Sequence, residues 1–118
     1  MKDRTTQPFD VAVRELMHEQ RLTDTALAAR TPYNQSTISR DLSRGRGRVL
    51  NRETIATISE IARALGKEPE YFLEVRIYQA KAELEQAMRE GWLSLEDVHK
   101  LLEKARSRRA DQSRLDSS

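Results

Sequence analysis

Six arginines lie between residues 30 and 52 (Arg30, Arg40, Arg44, Arg46, Arg48 and Arg52) against a single carboxylate, Asp41, so this stretch carries a net charge of +5. A guanidinium group is planar, permanently charged and donates hydrogen bonds in pairs, which suits phosphate oxygens and base edges. The rest of the chain does not share this charge: residues 1–29 are net −1, residues 53–103 net −5 and residues 104–118 net +3, within an overall +2. A basic island in an otherwise acidic protein is a local footprint for a polyanion. Among the arginines lies the polar run Asn34, Gln35, Ser36, Thr37, Ser39. Glutamine can bond adenine in a bidentate manner and arginine can do the same with guanine, which is the chemistry that sequence readout needs.

Other chemistries fail on spacing. His18-Glu19 begins like a zinc-protease motif, but Leu22 stands where the second histidine would be required. Gly45-Arg46-Gly47 lacks the third glycine of a dinucleotide loop, position 50 being Leu50, and no Gly-x-Ser-x-Gly occurs. The absence of cysteine excludes disulfides, thiolate metal sites and thiol catalysis. The two histidines, His18 and His99, read as surface residues, so no catalytic residue, metal site or cofactor is expected. No apolar run approaches the roughly 20 residues that span a bilayer. The expectation is a soluble, cytoplasmic protein associated with the nucleoid.

The scarcity of aromatics (5%), Gly (4) and Pro (3) disfavours a sandwich or barrel. Apolar periodicity places helices instead. Phe9, Val11, Val13, Leu16 and Met17 mark a first helix from about Pro8 to Gln20, after a frayed polar segment 1–7. Thr23 caps a second helix of about two turns that must stop near Arg30, because Pro32 forces Thr31 out of the helical region. Asn34 caps a third, with Tyr33 stapled to Ile38 and a narrow seam of Ile38 and Leu42. Arg44-Gly45-Arg46-Gly47-Arg48 is a loop, and Asn51 caps a fourth helix that ends at Gly66. Pro69 opens a fifth, running to about Glu90 and roughly 33 Å long at 1.5 Å per residue. Ser94 and Asp97 form a capping box for a sixth, which fades near Ala105 into a basic, disordered tail over 106–118, with Trp92 as an apolar plug behind Gly91.

Two short helices with too little surface to stand alone, the second polar outside and followed by arginines, suit insertion into the DNA major groove. The segments that carry this pattern are Val13-Arg14-Glu15-Leu16, Leu22-Thr23, Leu27-Ala28, Gln35-Ser36-Thr37-Ile38-Ser39-Arg40, Ile58-Ile61-Ala62-Ala64-Leu65-Gly66 and Glu70-Tyr71-Phe72-Leu73. In their order and spacing they resemble the Cro/repressor-like (xenobiotic-response-element type) helix-turn-helix family of prokaryotic and phage DNA-binding regulators, over roughly Phe9 to Leu73. The chain departs from the family in having Pro32 at the turn position usually held by glycine and Asp41 where an apolar residue is preferred. The resemblance implies that Asn34, Gln35, Ser36, Thr37, Ser39 and Arg40 face base edges. Thr23, Arg44, Arg46 and Arg48 are candidates for phosphate contact, and the Arg/Gly loop is slim enough to enter a narrow minor groove.

The fold expected is therefore all-α: a five-helix helix-turn-helix DNA-binding domain over residues 8–75, whose long fifth helix continues into a C-terminal helical hairpin over 76–105. Leu73, Ile77, Ala80, Leu84 and Ala87 step 4-3-4-3, the spacing of a helix–helix seam. With Val98, Leu101 and Leu102 they form the candidate dimer interface, since repressors of this kind read paired half-sites about 34 Å apart. The partners expected are double-stranded DNA and a second copy of the chain, as a transcriptional regulator of the repressor type. Alternatives are an antitoxin-type autorepressor whose C-terminal helices bind a toxin, a nucleoid-architectural protein, and an adaptor without DNA binding.

Overall fold

The computed structural model describes residues 4–43 and 48–117. Among the described residues the chain is all-helical: α1 (Phe9–Gln20), α2 (Asp24–Ala29), α3 (Gln35–Leu42), α4 (Arg52–Ala64), a 3₁₀ turn (Pro69–Tyr71), α5 (Leu73–Arg89) and α6 (Leu95–Ser117). It divides into two compact units, Met1–Ala80 and Lys81–Ser118. No helix among the described residues is long and apolar enough to cross a membrane.

In the first unit each helix boundary has a local cause. Thr23 Oγ1 accepts the Ala26 N–H at 3.1 Å, Asn34 Oδ1 accepts that of Thr37 at 2.8 Å and Asn51 Oδ1 that of Thr54 at 2.9 Å, three N-caps expected from the sequence. Pro8 has no side chain with which to cap α1; the Phe9 N–H instead donates to the Glu74 carboxylate at 2.7 Å, which sets an anion at the positive end of the helix. α1 closes at Arg21 in the left-handed region (φ 56°), and the Leu22 N–H reaches back to the Met17 carbonyl. α4 closes at Gly66 (φ 75°), a conformation that favours glycine. The turn between α2 and α3 is held by a hydroxyl: Thr31 Oγ1 donates to the Ala28 carbonyl at 3.0 Å and accepts the Tyr33 N–H at 3.2 Å.

The core gathers Phe9, Val13 and Leu16 of α1, Leu27 of α2, Ile38 and Leu42 of α3, Ile58 and Ile61 of α4, and Phe72, all buried. The Phe9 and Phe72 rings meet edge to face with centroids 4.8 Å apart. Tyr33 packs partly buried against this cluster.

Several expectations are corrected. Segment 1–7 is not frayed where it is described: the Thr5 N–H donates to the Tyr71 carbonyl at 2.9 Å, and the Arg76 guanidinium donates to the Thr5 carbonyl. The fifth helix does not begin at Pro69, because the 3₁₀ turn ends at an extended Phe72 (φ −85°, ψ 137°). That break swings the Phe72 ring into the core and leaves α5 with 17 residues, about 25 Å of helix. The sixth helix does not fade near Ala105 but runs on to Ser117. The stretch from Ala105 contains neither glycine nor proline, and its four arginines are good helix formers.

In the second unit α6 opens with the reciprocal capping box: the Ser94 N–H donates to Asp97 Oδ2 at 3.0 Å and the Asp97 N–H to Ser94 Oγ at 3.1 Å. The backbone and side-chain bonds from Ser94 hold the Asp97 carboxyl below its ordinary range. A carboxyl depressed in the folded state contributes stability above its unfolded pKa and loses it as pH falls through the folded value. Acidification below the ordinary aspartate range is therefore expected to loosen the first turn of α6, read as faster exchange of the Ser94 amide, with no such change in Asp97→Asn. Trp92 is no plug: it is 71% exposed, and its indole N–H donates to the Glu90 carboxylate at 2.9 Å.

Candidate nucleic-acid interface

α3 is divided sharply between an inner and an outer face. Ile38 and Leu42 are buried four residues apart, whereas Asn34, Gln35, Ser36 and Arg40 are exposed. Ser36 and Arg40, also four apart, share one outer stripe. Gln35 and Ser36 are the first two residues of the helix, so their side chains stand at its N-terminal end. Asn34 is exposed too, with its carbonyl oxygen engaged in the cap. Thr37 is half-buried.

Ser39 serves another purpose than base contact. Its hydroxyl donates to Asp24 Oδ2 at 3.0 Å, and the other oxygen of Asp24 accepts from Arg14 Nη1 at 2.7 Å. One carboxylate at the start of α2 thus joins α1, α2 and α3. This clasp fixes the rotation of α3 about its own axis, because Ser39 adjoins the buried Ile38. No sequence pattern announced it: the partners are 10 and 15 residues apart and share no helix.

Arg48 is likewise withdrawn from any phosphate or minor-groove role. Its side chain is 3% exposed, with Nη2 2.5 Å from Asp10 Oδ1 and 2.6 Å from the Asp41 carbonyl, and Nη1 3.7 Å from Asp41 Oδ2. The guanidinium carbon also stands 4.8 Å from the centroid of the Phe9 ring. Asp41, at the position where the family prefers an apolar residue, is buried beside Leu42 and is neutralised by this arginine. The available signal was the context of Arg48: glycine precedes it, but Val49-Leu50 follow.

Asp41 and Arg48 are both spent in the interior, and three other arginines of the 30–52 stretch stand outside. Arg30, Arg40 and Arg52 are exposed, although Arg30 also donates to the Ala64 carbonyl at 3.3 Å. Arg44 and Arg46 lie outside the described residues. Thr23 is exposed, its oxygen accepting the α2 cap bond. The outer face of α3 therefore offers amide, hydroxyl and guanidinium groups side by side on a rigid support. Among the described residues no group of three or more histidines or carboxylates is placed to hold a metal.

The expected dimer residues are placed unequally. Ile77, Ala80, Leu84, Leu101 and Leu102 are exposed, and Leu73 and Val98 half-buried. Ala87 is buried within its own chain, where the Leu93 N–H folds back onto its carbonyl, so it is not free to meet a partner. No family model matches the chain, and neither a curated protein nor a solved structure matches it.

Proposed function

We propose that the chain is a sequence-specific DNA-binding regulator of transcription, repressor-like, whose α2–α3 pair is a helix-turn-helix that reads the major groove through α3. The observation that carries this reading is the two-faced α3: Ile38 and Leu42 locked in the core and Ser39 clasped to Asp24, against Gln35, Ser36 and Arg40 in the open. Base-edge contact falls to Asn34, Gln35, Ser36 and Arg40, with Thr37 at the margin. Arg52 at the start of α4, with Arg44 and Arg46, supplies phosphate contact, which fixes register and makes affinity fall with salt. The protein acts as two copies on paired half-sites, and no catalysis is needed for the role. The test is fluorescence-anisotropy titration against genomic fragments and random duplexes over a series of salt concentrations. Selective binding with a steep salt slope supports the reading; equal affinity for every duplex means an architectural protein, and no binding at low salt overturns it in favour of an adaptor.

The exposed apolar residues of the second unit (Leu84, Trp92, Leu95, Leu101 and Leu102) favour a protein-binding role for the C-terminal helices. An antitoxin-type autorepressor would use them for its toxin.

A further inference from the structure

Arg48 and Glu74 line one cavity of about 380 Å³ in the first unit. Each is already partly engaged: Arg48 Nη2 with Asp10 and the Asp41 carbonyl, and Glu74 Oε2 with the Phe9 N–H. Each also keeps a buried polar atom, Arg48 Nε and Glu74 Oε1, that has no hydrogen-bond partner among the described residues. A buried donor or acceptor left unpaired is costly, so folded proteins pair such groups with protein, water or ligand. Pro8, Leu50, Leu73 and Ile77 make up most of the remaining wall. Water can pair with the two polar atoms but gains nothing from four apolar neighbours, whereas a solute with a polar head and an aliphatic body answers both. Its head has to donate to a carboxylate oxygen and accept from a guanidinium N–H. A carboxamide or a hydroxyl does both without charge; a carboxylate has no proton for Glu74, and an ammonium has no lone pair for Arg48. Thr6 and Ile77, which also line the cavity, are exposed, so solutes can reach it. Its volume lies at the lower end of those that hold small ligands.

We infer that this cavity is a binding site for a small uncharged amphipathic molecule, with a carboxamide or hydroxyl head between Arg48 and Glu74 and a short aliphatic chain along Leu50, Leu73 and Ile77. None of the lining residues belongs to α3, and the test uses no DNA, so the site and the DNA reading can fail separately.

Hexanamide titrated into the full chain, followed by NMR of the backbone amides, is expected to shift Thr6, Leu50, Glu74 and Ile77 along one saturable curve. Hexanoate and hexylammonium, chains of the same length with charged heads, are expected to bind at least about tenfold more weakly. Glu74→Gln keeps an oxygen for the Phe9 N–H and offers the cavity a donor in place of an acceptor. Hexanamide is then expected to bind about tenfold more weakly than to wild type, and hexanoate to bind more tightly than before. Ile77→Trp, at a side chain 45% exposed, fills the space and abolishes the shifts, while circular dichroism verifies that the fold is kept. No saturable shift with hexanamide, a charged probe bound as tightly as hexanamide, an unchanged preference in Glu74→Gln, or shifts that persist in Ile77→Trp would each overturn the site. The same amides shifting with protein concentration alone would overturn it too, giving the cavity to a second copy.

Discussion

Replacing Arg48 with alanine is expected to cost about 3–5 kcal/mol of stability, the range for removing one partner from a buried ion pair. The guanidinium is held by Asp10 from α1 and by both the carboxylate and the backbone carbonyl of Asp41 at the end of α3. Without it two carboxylates with side chains only 14% and 12% exposed lose the guanidinium that bridges them. The Phe9 ring loses the group that covers it. A loss of that size is a large share of the total stability of a domain of about 80 residues, and each 1 kcal/mol lowers its melting temperature by about 4–8 °C. Thermal unfolding followed by circular dichroism measures it. Arg48→Lys keeps the charge but not the fork that reaches two partners at once, and falls between wild type and alanine. A melting temperature unchanged in Arg48→Ala would mean that the buried cluster contributes nothing, and Arg48 would return to the candidate DNA contacts.

The second large effect is on recognition. Gln35→Ala combined with Arg40→Ala removes an amide and a guanidinium from the outer face of α3 and leaves Ile38, Leu42 and the Asp24–Ser39 clasp in place. A good bidentate contact discriminates by about 1–3 kcal/mol, so two together account for roughly 2–6 kcal/mol, on the order of 30-fold to 10⁴-fold in the ratio of specific to random affinity. Binding to random DNA is expected to fall far less, and the salt slope to stay steep, because the phosphate contacts lie elsewhere. The melting temperature should stay near wild type, both side chains being exposed. An equal loss on all duplexes would assign Arg40 to phosphate and leave base reading to Asn34 and Ser36.

What the sequence made legible was local. Thr23, Asn34, Asn51 and the Ser94–Asp97 pair each bond within three residues, so their spacing alone identifies them. The outer face of α3 was legible as well, because two apolar residues four apart define its inner side. Hidden were the contacts whose partners are distant in the chain. Arg48 looks like one more member of a basic loop until Asp10, 38 residues away, is seen beside it. Ser39 looks like a free hydroxyl until Asp24 arrives from another helix. The break at Phe72 has the same origin: a helix from Pro69 satisfies every local preference, and only the demand of the Phe9 ring, 63 positions earlier, explains why the chain opens there.

The hydrogen bonds that run from Thr5 to Tyr71 and Arg76, and from Phe9 to Glu74, join the two ends of the first unit into a closed hoop. An N-terminal segment ordinarily frays on its own, exchanging its amide protons quickly whatever the core does. Here the Thr5 amide opens only when the 71–76 segment also lets go. Native-state hydrogen exchange should accordingly find Thr5 opening together with Ile58 and Ile61 in one cooperative event. Trimming a handful of residues at that end would then be felt at the far helix, as a loss of cooperativity throughout the unit that carries α3.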